Sequence, residues 1–224
     1  MPEPAAPTAP RREPAGPDRE PVRLLVCAFG PFPGVAVNPS ERFARAVLRR
    51  RRPSLAGVAC DLEILPTRWE ALGRLSARIA RERPDGILLL GVAPRRRRID
   101  VETRAVNAAS WRPDAARRHF PAARLAADGP AVRATTAPVA RLIADLRRSL
   151  IAAGPSRDAG RYLCNASYYV ALAGTEGTGT PVVFVHLPGR SGMPAGVTSG
   201  QMITGLSDLL VSLAHAAARA ARMR

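Results

Sequence analysis

Cysteine is scarce in this chain. There are three in 224 residues, Cys27, Cys60 and Cys164, and no two form a CxxC pair. An odd count without ligand spacing argues against both a disulfide framework and a cysteine zinc site. Aromatic residues reach only 4%, so alanine, leucine and valine must fill the interior. The three histidines, His119, His186 and His215, are too far apart for a local metal motif. No uncharged run is long enough to span a membrane. The first residues alternate proline, alanine and charge without an apolar h-region, so no signal peptide is expected. Lysine is missing altogether, and all 34 basic residues are arginine. Unpaired thiols without an export signal fit a reducing cytoplasm best.

What is present is a large positive charge and enough apolar residue for one core. The 34 arginines against 18 acidic residues give a formal charge of +16. That permits nonspecific attraction to nucleic acid or an anionic membrane, but it establishes no binding site. A GC-rich genome also supplies arginine, alanine and proline, and this is the preferred reading of the composition. With 46% hydrophobic residues, the chain can bury one sizeable core, so one domain is expected.

Residues 1–20 are proline-rich and lack any apolar period, so they read as a disordered extension, with the domain over 21–224. Residues 22–28 form a short, mostly apolar run, read as a buried strand, followed by a stiff loop in which Phe29 and Phe32 could be exposed. A helix starts near Asn38, with Ser40 as its cap and Phe43 and Val47 on one face. A strand over 58–65 and an amphipathic helix over 69–81 follow. Residues 87–90 are apolar throughout, which suggests a strand covered on both faces, as in parallel α/β sheets. The alternation of strand and helix predicts an α/β layered sandwich with a central, largely parallel or mixed sheet flanked by helices. Residues 99–107 read as an edge segment, and 108–128 as a long excursion with local helix. Further helices are expected over 137–152 and 165–173, then a strand over 181–185 and a final helix from Ser199 or Thr204 to about Ala220.

Three residues carry potential chemistry. Cys164 follows a glycine turn and the pair Tyr162-Leu163, and it opens a helix. Unpaired N–H groups and the positive dipole end there favour a thiolate, the form that attacks carbonyls. An inert core cysteine is the plainer reading, and the residues alone leave both open. His186 ends an apolar strand on the side where open α/β sheets bind ligands, although a structural histidine fits too. Glu102 is the best acid to orient an imidazole, though such carboxylates are more often solvated surface groups.

Four stretches together carry a resemblance. They are Phe29-Gly30-Pro31-Phe32 with Asn38-Pro39-Ser40-Glu41; Gly91-Val92-Ala93-Pro94 through Ile99, Glu102, Ala105 and Asn107; Ser156 and Asp158-Ala159-Gly160 with Tyr162-Leu163-Cys164-Asn165; and Val185-His186-Leu187-Pro188. In these, from about Val22 onward, the chain resembles the pyroglutamyl-peptidase I family of cysteine peptidases. The resemblance implies a single α/β domain and removal of N-terminal pyroglutamate from peptides. It implies Cys164 as nucleophile, His186 as general base and acid, and Glu102 as orienting acid. It further implies Arg112 near the oxyanion, and Phe29, Phe32, Asn38, Tyr162 and Leu163 around the substrate. The two rings would sandwich the lactam and Asn38 would hydrogen-bond it. No metal or cofactor is implied, and a homo-oligomer, dimer or tetramer, is. The chain departs from the family's pattern at Asp100 (usually Ser or Thr), at Thr103 (usually basic), and over 113–115 and 134–138; the arginine run 95–98 is also unusually cationic. The competing reading is a catalytically degenerate relative acting as a basic anion- or nucleic-acid-binding protein. No recognition motif accompanies the arginines, so specific nucleic-acid binding is not expected.

Overall fold

A computed structural model describes residues 21–32, 35–189 and 196–224. The extension expected over 1–20 lies outside them. Strand β1 (Val22–Phe29) runs parallel to β2 (Val58–Leu65) on one side and to β3 (Gly86–Ala93) on the other. β3 is parallel to β8 (Val182–Pro188), which meets β4 (Ile99–Glu102) antiparallel. β4 in turn lies parallel to β7 (Ala153–Ser156). The sheet order is therefore β2-β1-β3-β8-β4-β7, mixed and mostly parallel. A small separate ribbon pairs β5 (Arg104–Val106) with β6 (Val132–Ala134).

The pleat sends alternate residues of each strand to opposite faces. On one face Leu24, Val26, Leu88, Leu90, Val183 and Val185 pack against α1 (Pro39–Arg49), α3 (Val139–Arg148) and α5 (Ser199–Ala221). On the other, Leu25, Cys27, Ile87, Leu89 and Phe184 pack against α2 (Ala71–Glu82) and α4 (Leu163–Gly174). Both faces are covered, so the central strands carry no polar alternation, as the apolar run over 87–90 predicts. The result is a single α/β domain of three layers. No helix among the described residues is long and apolar enough to cross a membrane.

Several local expectations are overturned, each for a visible reason. The cap of α1 is Asn38, not Ser40. Asn38 is extended and its Oδ1 accepts from Ser40 N at 3.0 Å, with Pro39 in the first helical turn. The Ser40 hydroxyl instead turns to β1, accepting from Phe29 N at 3.1 Å. Phe29 is no loop residue: it ends β1 and is buried in the core shared with α2 and α4. Residues 99–102 are not an edge, because β4 lies between β8 and β7. The edge belongs to β7, whose Gly154-Pro155 hides a strand from pattern reading; proline is tolerated at an edge, where its missing donor costs least. α3 stops at Arg148, and Leu150 takes a left-handed φ of 60° and is exposed rather than on an apolar helix face.

The excursion 108–128 holds turns and bends but no helix. Side chains satisfy its amides instead of a helical ladder. Asn107 Oδ1 accepts from Leu125 N and Ala126 N at 2.8 and 3.0 Å. Asp114 Oδ1 accepts from Ala116 N and Arg118 N, and its Oδ2 from Trp69 N at 3.0 Å. The same device fixes α4. Fully buried Asn165 accepts from Val106 N at 2.8 Å and donates to the carbonyls of Val106 and Ala108 at 2.8 and 3.1 Å.

Asn165→Ala removes all three bonds and strands their backbone partners. It should cost about 2–3 kcal/mol and lower the melting temperature by roughly 5–10 °C for a chain of this size, measured by thermal denaturation.

Candidate active site

The site forms where β1, β3 and β8 end and α4 begins, the crevice in which open α/β sheets hold ligands. Gly160 adopts φ 79°, a left-handed turn that suits glycine, and its N–H is held by Asp158 Oδ1 at 2.9 Å. The chain then enters α4 through extended Tyr162, which serves as N-cap without a side-chain cap bond. Cys164 therefore sits in the first turn of α4. The N–H groups there have no intrahelical acceptor and point into the crevice end of the helix dipole.

The sulfur lies over β3. A Cβ built on Gly91 would stand 3.0 Å from Cys164 Sγ and 2.6 Å from Phe184 Cζ. Gly91 is also the register partner of His186 on β8, so a residue without a side chain lets the thiol settle beside the imidazole strand. Of the groups around the ring, Cys164 contributes the largest upward push on the imidazole pKa. Cys27 and Cys60 differ. Burial pushes both thiols up, and neither lines the crevice.

His186 is buried and its ring packs tilted against that of Phe184, with 4.7 Å between ring centroids. Its Nδ1 lies 2.7 Å from Glu102 Oε1. β4 is antiparallel to β8 and Asp100 stands directly opposite His186, so the bond to Glu102 is a diagonal cross-strand pair on one face. Burial alone would lower the imidazole pKa. Cys164 and then Glu102 outweigh it and push His186 up to about 9. Glu102 is fully buried, which would raise its pKa. The hydrogen bonds from His186 and Ser156, with the charges of His186 and Arg96, bring it below the ordinary carboxylate range.

Beside the sulfur is a cavity of about 410 Å³, lined by Phe29, Phe32, Asn38, Arg112, Tyr162 and Leu163 among others. Phe29 is buried and Phe32 half-buried. Asn38 is nearly consumed by its cap: besides accepting from Ser40, it donates Nδ2–H to Gly30 O at 3.0 Å, leaving one N–H free. The Arg112 guanidinium lies 5.2 Å over the Tyr162 ring, and the Tyr162 hydroxyl donates to Pro113 O at 3.0 Å. Two of the four arginines in the run 95–98 are paired with acids: Arg96 and Arg98 with Asp100, and Arg96 also with Glu102. Thr67, Val92, Pro94 and Asp114 also line the cavity and were not legible as site residues. Val92 stands at the end of β3, and the other three come from loops whose approach only the tertiary structure defines. The close approach at Gly91 had one signal, a glycine ending an unbroken apolar strand. Among the described residues, no group of three or more His, Cys, Asp or Glu is arranged to hold a metal ion.

A family model described as pyroglutamyl peptidase matches residues 22–221. The pyrrolidone-carboxylate peptidase of Gloeobacter violaceus is 34% identical over 171 residues, 75% of this chain and 82% of that protein. That of Pseudomonas fluorescens is 31% identical over 206 residues, 88% and 92% of the two chains. Among solved structures, pyroglutamyl peptidase I of Bacillus amyloliquefaciens superposes with a TM-score of 0.74 at 25% identity, covering 86% of this chain and 97% of its own.

Gly91→Ala should force Phe184 and Cys164 apart. The overpacking should cost about 1–3 kcal/mol, read as a lower denaturant midpoint. Alkylation of Cys164, followed by peptide mass spectrometry, should change rate while that of Cys60 does not.

Proposed function

The chain belongs to the pyroglutamyl peptidase family, and from that premise we propose that it cleaves N-terminal pyroglutamate from peptides with Cys164 as nucleophile, His186 as proton carrier and Glu102 as the group that aims the imidazole. The observation that carries the reading is the His186–Glu102 contact of 2.7 Å beside a cysteine seated at a helix start on a small cavity.

The chemistry follows from which atoms are taken. Glu102 occupies Nδ1 of His186, so Nε2 is the nitrogen left to exchange a proton with the thiol. The thiol proton passes to Nε2 and the sulfur attacks the pyroglutamyl carbonyl carbon. The carbonyl oxygen becomes an oxyanion, stabilised by the free N–H groups in the first turn of α4 and by Arg112. The imidazolium returns the proton to the departing peptide nitrogen as the C–N bond breaks, leaving a thioester. Neutral His186 then takes a proton from water. The hydroxide displaces the sulfur, and free pyroglutamate leaves. The cavity suits a small planar lactam, with Phe29 and Phe32 against its faces, the free Asn38 N–H toward its edge, and Tyr162 and Leu163 as walls. Three free thiols and this chemistry suit a reducing cytoplasm.

The reading makes two measurable claims. Cys164→Ala should abolish turnover of a pyroglutamyl amide, and Glu102→Gln should lower kcat about a hundredfold or more, as expected when the orienting acid loses its charge. Wild-type turnover by Cys164→Ala would sink the assignment. The second claim concerns pH. Protonated His186 is needed to expel the amine and is lost as pH rises through about 9, so kcat/KM should fall on the alkaline side with a midpoint there. The same sign holds for stability. The folded-state pKa is raised, so the contribution is complete below about 6.5 and is lost as pH rises through about 9. A urea midpoint that is flat across this range would contradict it.

A further inference from the structure

Glu102 Oε1 serves two cations at once. His186 Nδ1 lies 2.7 Å from it, and Arg96 donates to the same oxygen at 2.6 Å. The same Arg96 nitrogen donates to Asp100 Oδ2 at 2.9 Å and reaches Ser156 Oγ at 3.3 Å, while its other terminal nitrogen donates to the carbonyl of Asp158. Arg98 Nε donates to the opposite oxygen of Asp100 at 2.8 Å. Asp100 is buried, as is Glu102, and Arg96 is largely covered. These groups form a continuous chain of alternating charge that begins at the imidazole and ends in solvent at Arg98.

Resting on the reading of Cys164, His186 and Glu102 given above, we propose that Arg96 and Asp100 are positioning residues that act as opposed weights on Glu102 and so set how firmly it holds the His186 proton. The histidine has two contrary tasks. It must give a proton to the departing amine, then take one from water. A buried carboxylate acting alone would hold the imidazolium too tightly for the second task. Arg96 draws on the oxygen that His186 uses and weakens that hold. Asp100 draws on Arg96 and keeps it from taking the carboxylate entirely. The other groups facing this chain of charge are Cys164 and Tyr168 on α4. The Tyr168 hydroxyl donates to the Glu102 carbonyl at 3.0 Å and burial keeps it neutral, so it adds no charge of its own. The bond from Arg96 to the Asp158 carbonyl also ties the acid to the loop that delivers Cys164.

The test is the sign of two neighbouring substitutions. The His186 ring protons are titrated by NMR in the full, unliganded chain, for the parent, Arg96→Gln, Asp100→Asn and Arg96→Lys. Arg96→Gln should raise the midpoint by about half a pH unit or more and Asp100→Asn should lower it by a similar amount, in keeping with the pull of one nearby charge. Arg96→Lys should return most of the way to the parent. The alkaline limb of kcat/KM on a pyroglutamyl amide should move with the same signs, and in Arg96→Gln kcat should fall while KM holds. Shifts of the same sign in both variants, or none in either, would overturn the proposal, since a merely structural role gives no reason for opposite shifts. If Arg96→Gln does not fold, Asp100→Asn and Arg96→Lys carry the test. An active parent with unmoved titrations removes the counterweight alone. A parent that turns over no pyroglutamyl amide removes the catalytic reading, while opposite shifts would still establish the charge balance.

Discussion

A carboxylate with no exposed surface must be compensated, and in this structure the compensation of Glu102 organises its surroundings. Its compensation comes from positive and hydrogen-donating groups. His186 supplies it from β8, Arg96 from the loop before β4, and Ser156 from the edge strand. Each is held by a different part of the chain, so the acid acts as a knot across the antiparallel seam of the sheet, between β4 and β8. Cys164 first and then this acid push the imidazole pKa up, and the cysteine is brought to the ring by the helix on the same face.

The elements that were legible in the sequence are those whose residues face apolar surroundings on both sides. β1, β3 and β8 are mostly apolar runs, and α2 and α5 show their faces by periodicity. What escaped pattern reading is held by polar side chains acting on backbone. β7 is four residues with a glycine and a proline, and it is a strand only because β4 offers it a partner. The excursion over 108–128 takes its shape from Asn107 and Asp114, and one residue of each type in a long loop carries no periodic signal. The Ser40 cap failed for a related reason: Asn38 reached the free amide first, releasing the hydroxyl to β1.

At the site, Cys164 and His186 stood out by position, each at an element end on the ligand side. Glu102 was singled out with less support, because nothing in a sequence reveals that β4 runs antiparallel beside β8 and turns its acid toward the imidazole. The pairing of Arg96 and Arg98 with acids was hidden for the opposite reason. A run of four arginines reads as a solvated cationic patch, whereas two of the four spend their charge on buried carboxylates. The composition therefore overstates the free charge in this loop.

The strand order also sets a timetable. β8, which carries His186, lies between β3 and β4, although it follows β7 in the chain. Until residue 188 has been made, the sheet exists as two pieces, β2-β1-β3 and β4-β7, with the gap between them open. Synthesis from the N-terminus thus produces the thiol, the acid and the cavity walls before the strand that joins them. The pairing of β3 with β8 spans nearly half the chain, a long-range closure of the kind that slows folding. The nascent chain accordingly carries Glu102 through more than a third of its length before its partner His186 exists, and the crevice is assembled only in a late step, when β8 enters the sheet.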